Sequence, residues 1–456
     1  MVPPVSPHAP PPADPGFDAR VAVALDELPP PTPARHLIKL TPGVPPDGRY
    51  DELAAVFRPV FARIAEGAAA RDADRVLPFE QVGWLNKERF GALRVPVSDG
   101  GHGATLADTF RLLIELAEAD SQVAHLLRSH VGFVESILAH GDAALRGRWF
   151  ARFAAGQLVG NAYTERGGNA LGTLNTVLEE HDGGWRLTGE KYYCTGTIFA
   201  DWVAVAAARP GRPGRDIAVV STQHSGVRIF DDWDGFGQQL TGTGSTSFAA
   251  VPVDTVLRPA DLAAHPESAV FQLVLLAVQA GICRAVLGDA RAAVQARTRS
   301  FSTGTGVPVA DDPQVLQIVG EISASAFAVD AVVLAAVAEL ESVCGTGAGL
   351  SAAERYAVCE LAANRAQTAI QPLVLAAASR LFDGLGASST ARACNLDRHW
   401  RNARTVATHN PAIYKARIVG DYEVNGNAPL PFDAVGDVVP PDHRHPRTPR
   451  TAKNTP

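Results

Sequence analysis

Cysteine is scarce and scattered. The 456 residues hold five, at positions 194, 283, 344, 359 and 394, with no CxxC pair. That spacing excludes a disulfide framework and a cysteine-paired zinc site. An odd, dispersed set reads as reduced thiols, so a cytoplasmic location is expected. Positive charge is not in excess either: 41 Lys and Arg stand against 48 Asp and Glu, a formal net charge of −7. A protein that binds nucleic acid through its phosphates needs a basic surface, so no such partner is expected. No long uncharged apolar run stands out as a membrane span, and the N-terminus lacks the basic-then-apolar pattern of a secretory signal. Two phosphate motifs are missing as well. There is no GxGxxG at a strand–helix turn and no GxxxxGK[ST]; GTGST at 242–246 lacks the lysine and the following helix and reads as turns.

What is present falls into blocks. Residues 1–47 form a Pro-rich arm that cannot hold a helix or a central strand. Residues 48–157 read as helical, with apolar residues recurring every three or four positions in DELAAVFRPVFARIAEG, LADTFRLLIELAEAD and QVAHLLRSHVGFVESILAHG. Residues 158–262 change character. Short apolar runs (WVAVAAA, DIAVVST, GVRIF, TSFAAVPV) separated by Gly, Pro, Asp and Ser predict a small antiparallel β-domain. Residues 263–425 hold four long apolar-periodic segments, enough for a four-helix bundle. A polar, Pro-containing tail covers 426–456. Its His443 and His445 form an HxH pair without a third ligand, so no metal site is expected. The fold class is therefore α+β: helices, a β-domain, then a bundle.

Two stretches carry chemistry. The first, residues 158–208, contains Thr164-Glu165, the glycines Gly167 and Gly168, then Gly189-x-Lys191-Tyr192-Tyr193-Cys194-Thr195-Gly196 and Ala200-Asp201. The second, residues 380–411, has a Gly-rich turn at Gly384–Gly386, then an Arg-rich segment from Asp397 to Thr405, then His409-Asn410-Pro411. Together with GFGQQLTGTGSTSFAAVPVD, these resemble the acyl-CoA dehydrogenase superfamily. The form FDxLGAS…LDRHWRNART…HNP resembles its flavin-dependent monooxygenase branch, typified by dibenzothiophene monooxygenase.

The resemblance implies an acyl-CoA dehydrogenase-like fold: an N-terminal helical domain, a middle antiparallel β-barrel and a C-terminal four-helix bundle. It implies a flavin, most readily FMN delivered as FMNH2 by a separate NAD(P)H:flavin reductase, with FAD as the other choice. It further implies a small-molecule substrate, O2, a C4a-(hydro)peroxyflavin and a homotetramer. Asn161, Tyr163, Thr164, Tyr193 and Thr195 are the residue types that suit the polar edge and flat face of an isoalloxazine ring. Arg297 and Arg299, in ARTRSF, and the Gly386-Ala387-Ser388 turn match the places where relatives hold the flavin phosphate, often that of a neighbouring subunit. Arginine suits a phosphate because its planar fork donates two parallel hydrogen bonds. Dehydrogenases of the family keep a glutamate base in one of two places. Here no acidic residue lies from Arg398 to Gly420, nor between Glu267 and Asp289. His409 stands instead where the monooxygenase branch carries a histidine, and an imidazole can move a proton near neutral pH. His130 falls on a helix that lines the site in relatives, which makes it a second catalytic candidate. The chain departs from the pattern at Val406, where the branch often has another histidine, and at Gln238 or Gln239, one of which stands where the superfamily has its usual arginine. An FAD-dependent dehydrogenase and a flavin-free assembly subunit are the competing readings.

Overall fold

The computed structural model describes residues 48–429, apart from 168, 213, 259–266 and 346–348. The Pro-rich arm, the tail from 430 with His443 and His445, and Gly168 lie outside the described residues.

The N-terminal block folds into seven α-helices: α1 (Gly48–Ala65), α2 (Ala68–Asp74), α3 (Phe79–Lys87), α4 (Leu106–Ala119), α5 (Ser121–Leu126), α6 (Arg128–Ala139) and α7 (Ala143–Ala154). The breaks follow local chemistry. Gly67 (φ 71°) separates α1 from α2 in the left-handed region that glycine adopts without strain. Thr105 and Asp108 close a reciprocal capping box on α4, and the Asp142 carboxylate caps α7 by accepting from the amides of Ala144 and Leu145. The stretch read as one helix from Gln122 to Ala139 is two, interrupted at Leu127.

The middle of the chain forms two four-stranded sheets. One runs β1 (Val159–Ala162), β4 (Trp202–Ala207), β5 (Asp216–Ser221), β8 (Thr255–Leu257). The other runs β2 (Val177–His181), β3 (Gly184–Lys191), β7 (Thr246–Pro252), β6 (Val227–Ile229). Two features correct the expected antiparallel barrel. The pair β1–β4 is parallel, because the β2–β3 hairpin intervenes in the other sheet before the chain returns. Among the described residues, isolated bridges link the two sheets at Thr164–Tyr192 and Val177–Ala208. Leu178, Leu187, Val203, Val205, Phe248 and Val251 fill the space between the sheets. On the other face of the first sheet, Trp149, Phe153 and Phe133 of α6 and α7 pack against Ala204, Ile217 and Val219. The β-domain is thereby fixed to the N-terminal helices through a continuous apolar core.

The C-terminal helices are α8 (Glu267–Ala296), α9 (Pro313–Gly345), α10 (Ala352–Leu385), α11 (Asp397–Thr408) and α12 (Ala412–Asn425). The four segments expected for the bundle are α8 to α11; Pro411 then opens a fifth helix at its N-terminus, where its missing N–H costs nothing. Contrary to the expectation from uninterrupted runs, α8 and Pro313–Val343 of α9 are long and apolar enough to cross a membrane by length and composition. The apolar window of α8 is 78% buried inside the protein, as a core helix requires, whereas that of α9 is only 33% buried.

Candidate active site

The Thr164–Lys191 motif is built around one ion pair. Glu165 receives the Lys191 ammonium at 2.7 Å, with the lysine side chain 0% exposed. The same carboxylate accepts from the amides of Asn175 (2.7 Å) and Thr176 (2.9 Å) and from the side chain of Asn169, so it pins both ends of the Gly-rich loop. Burial works against the charged form of Glu165, but the Lys191 ammonium and these amides outweigh it and hold its pKa down at about 2.

Beyond Lys191 the chain turns sharply. Tyr193 sits at φ 60°, an uncommon conformation for an aromatic residue. Its ring is 48% exposed, with Tyr192 at 4.5 Å and the edge of Trp233 at 6.0 Å between centroids. Thr195 is buried, and its hydroxyl heads a chain to Thr243 and Thr241 at 2.8 Å each. The neighbouring amides are committed: Cys194 donates to Gly244 and Gly196 to Thr241. Gly196 must be glycine, since a Cβ there would lie 2.2 Å from the Leu126 carbonyl oxygen. That contact brings the end of α5 against the motif. Asn161, on β1, accepts from the Ser129 hydroxyl of α6, and Thr164 bridges to Tyr192.

Four elements then enclose a cleft. The α5–α6 junction gives His125 and Arg128, the end of β1 gives Tyr163, the start of α8 gives Glu267, Phe271 and Gln272, and the end of α11 gives His409 and Asn410. Tyr163 meets Phe271 edge-on at 6.2 Å, and the charge of Glu267 acts on its hydroxyl. Asn410 donates to Gln272 at 2.6 Å, which ties α11 to α8. The rings of His125 and His409 meet edge-on at 6.1 Å. His409 is exposed at the end of α11, with the described residues of α5 and α8 close by. Desolvation there, with the positive Arg128 and then His125 nearby, drives its pKa well below the usual value, so the imidazole is neutral at pH 7. His125 is pushed down to about 4 by burial. Its Nδ1 pairs with Gln238 at 2.9 Å, while its buried Nε2 has no partner.

His130 is held by the protein's own backbone. Its Nε2 pairs with the Gly91 carbonyl at 2.8 Å, its Nδ1 accepts from the Val159 amide at 3.2 Å, and its ring lies edge-on to Phe153. Both nitrogens join the protein's own backbone, and burial lowers its pKa to about 4. A pH prediction follows from the sign. With the folded pKa below the unfolded value near 6.5, the unfolded chain binds the proton more readily. The contribution of His130 is complete above pH ~6.5 and is lost as pH falls toward 4. The buried carboxyls of Glu118, Asp120, Glu267, Asp330 and Glu360 shift upward and oppose this trend. The histidine effect is therefore read as a difference: between pH 7 and pH 5 the melting temperature should fall more for the parent than for His130→Asn. Equal slopes would refute it.

The two phosphate candidates meet each other. Arg297 donates from its guanidinium to the Leu385 carbonyl and, at 3.0 Å, to the Arg299 carbonyl, so ARTRSF lies against the Gly386 turn. Gly386 (φ 71°) ends α10; a Cβ there would lie 2.6 Å from the Phe301 ring. Ala387 and Ser388 follow, exposed, as does the side chain of Arg299. This group sits at the opposite end of α8 from the cleft. Gln272 and Ala296 are separated by about 36 Å of helix at ~1.5 Å per residue, farther than one FMN reaches. Within one chain, the arginine–glycine group and the cleft cannot serve the same flavin.

Residues fitted to a flavin are thus present. The bare Tyr193–Trp233 surface suits a flat ring, the Thr195 hydroxyl chain suits a polar edge, and the orphaned His125 nitrogen awaits a donor. Sequence reading missed His125, Arg128 and Glu267. The spacing of His125 and Arg128, three apart in HLLR, was the available signal. Glu267 read only as the acidic first turn of a helix.

Comparison with known proteins agrees with this geometry. Residues 52–157 match the acyl-CoA dehydrogenase N-terminal domain family and residues 273–412 match the C-terminal domain family, together more than half of the chain. The probable FMNH2-dependent monooxygenase SfnC of Pseudomonas putida is 28% identical over 386 residues, covering 83% of this chain and 96% of that protein. The dibenzothiophene monooxygenase of Mycolicibacterium goodii is 28% identical over 360 residues, covering 75% and 86%. The structure of methanesulfinate monooxygenase MsuC from Pseudomonas fluorescens superposes with a TM-score of 0.76 at 28% identity, covering 83% and 98%. The chain belongs to the acyl-CoA dehydrogenase superfamily, within its flavin-dependent monooxygenase branch.

Proposed function

We propose that this monooxygenase is the oxygenase half of a two-component, cytoplasmic system. A separate NAD(P)H:flavin reductase supplies FMNH2, and a small organic substrate is oxygenated at a heteroatom or an aromatic carbon. The observation that carries this reading is the meeting of the His409 and His125 rings where β1, α5–α6, α8 and α11 converge. When bound, reduced FMN supplies two electrons to O2 at its C4a position, so that one oxygen atom enters the substrate and the other leaves as water. The residues around it have separate tasks. The Tyr193 face and the Thr195 hydroxyl hold the ring. His409, neutral at rest, takes up and returns a proton at its ring nitrogen. Phe271 and Tyr163 line the substrate side and limit water entry. The absence of a dinucleotide fingerprint fits an external reductase.

Oxygen transfer is the test. Protein given FMNH2, a library of small sulfur, amine and aromatic compounds and 18O2 should release a product carrying one 18O atom. Turnover of acyl-CoAs with ferricyanide, and no label in any product, would overturn the reading.

The arginine–glycine group must serve another copy's flavin if it binds phosphate at all. The α9 face, with Phe327 63% exposed, supplies an apolar surface for that copy. A homotetramer is therefore expected by light scattering. Mixing Arg297→Ala and His409→Ala chains should restore part of the activity that each lacks alone. A monomer, or no restoration, would contradict a shared site.

A further inference from the structure

One cation of the cleft forms no ion pair among the described residues. Arg128, the first residue of α6, donates from Nε to the Phe271 carbonyl at 3.1 Å, with its guanidinium carbon 4.9 Å from that ring's centroid. Among the described residues no carboxylate pairs with it, and its two Nη groups make no hydrogen bond. Glu267 is the carboxylate whose charge reaches Arg128, but no ion pair joins the two. Arg215 also faces Tyr163 and Glu267. His125 and His409, which face Arg128, are both neutral at pH 7.

A half-buried cation without an ion-pair partner carries a desolvation cost. Burial lowers the Arg128 pKa to about 10, which still leaves it charged at neutral pH. Support of the Phe271 carbonyl would require one donor, and arginine brings five. The two unused Nη groups form a planar fork whose spacing matches the two oxygens of an oxyanion.

We propose that Arg128 anchors an anionic substrate: the molecule oxygenated in this cleft carries a carboxylate, sulfinate or sulfonate held in the Arg128 fork, with its apolar part against Phe271 and Tyr163. The proposal rests on the functional reading above and narrows its substrate class. Arg128 is then a specificity-determining residue, and it also orients the reacting end of the substrate toward His409.

Matched probes separate charge from shape. Benzoate against benzamide, and benzenesulfinate against methyl phenyl sulfoxide, are titrated calorimetrically into protein loaded with oxidised FMN, after the FMN affinity itself has been measured. At least one anion should bind about 10- to 100-fold tighter than its neutral counterpart, as expected for a charge-assisted bidentate contact. Arg128→Gln should reduce that preference to within about twofold, and Arg128→Lys should keep part of it, with FMN affinity and melting temperature unchanged in both. The proposal is overturned if the neutral member of each pair binds as well as the anion, if neither anion binds, or if Arg128→Gln retains the preference. Failure of the parent protein to bind FMN would instead defeat the functional reading, and the anchor with it.

Discussion

Replacing His409 with alanine should lower the rate of substrate oxygenation by about 10²- to 10⁴-fold, the range supplied by one well-placed proton-transfer group. FMN affinity should change by no more than about twofold. The reasoning is geometric. His409 is at the C-terminal end of α11, edge-on to His125, where desolvation and the positive Arg128 keep it neutral. A neutral ring can accept a proton without first losing one. Its removal takes away the exchangeable nitrogen but leaves Tyr193, Thr195 and the Thr243 contact in place. Electrons from FMNH2 should then escape as hydrogen peroxide, and the ratio of peroxide to product should rise. A variant within about threefold of the parent rate would remove His409 from the chemistry.

Lys191→Met should destabilise the protein by about 3–5 kcal/mol, the usual cost of stripping one partner from a buried ion pair. Lys191 is fully buried, and Glu165 would be left charged with its remaining contacts. The carboxylate also anchors Asn175 and Thr176, so the Gly-rich loop should loosen and FMN affinity should fall along with stability. The pH dependence has a definite sign. The Glu165 pKa lies below that of an unfolded chain, so its contribution is complete above the ordinary carboxylate range and disappears only as pH falls toward about 2. The double variant Lys191→Met/Glu165→Gln should be less destabilised than Lys191→Met, because it buries no uncompensated charge. Urea midpoints at pH 7 give the comparison. A loss below about 1 kcal/mol for Lys191→Met would show the pair to be dispensable.

Much of the architecture was legible because periodicity is local. WVAVAAA, DIAVVST, GVRIF and TSFAAVPV each contain a strand, and the four long C-terminal segments are helices. The parallel pairing of β1 with β4 was not legible, since a partner about forty residues away leaves no mark on either strand. The site divides in the same way. His409 stood out because it replaces an expected carboxylate. Glu165 and Lys191 were quoted as motif letters, but their ion pair emerges only when β3 returns alongside the end of β1. A sequence cannot show that the Gly91 carbonyl and the Val159 amide both meet the nitrogens of His130. Arg128 and Glu267 come from different helices, and nothing along the chain indicates that they share a cleft without pairing.

Gln238 has a consequence for His125. Its amide Nε2 is directed to Ser121 and its backbone N–H to Asn402, so its Oε1 is the atom left for His125 Nδ1. A carbonyl oxygen can only accept. The proton of the neutral ring must therefore reside on Nδ1, and this tautomer leaves Nε2 with a bare lone pair. This glutamine turns a histidine into an acceptor, so whatever the ring meets must bring its own hydrogen.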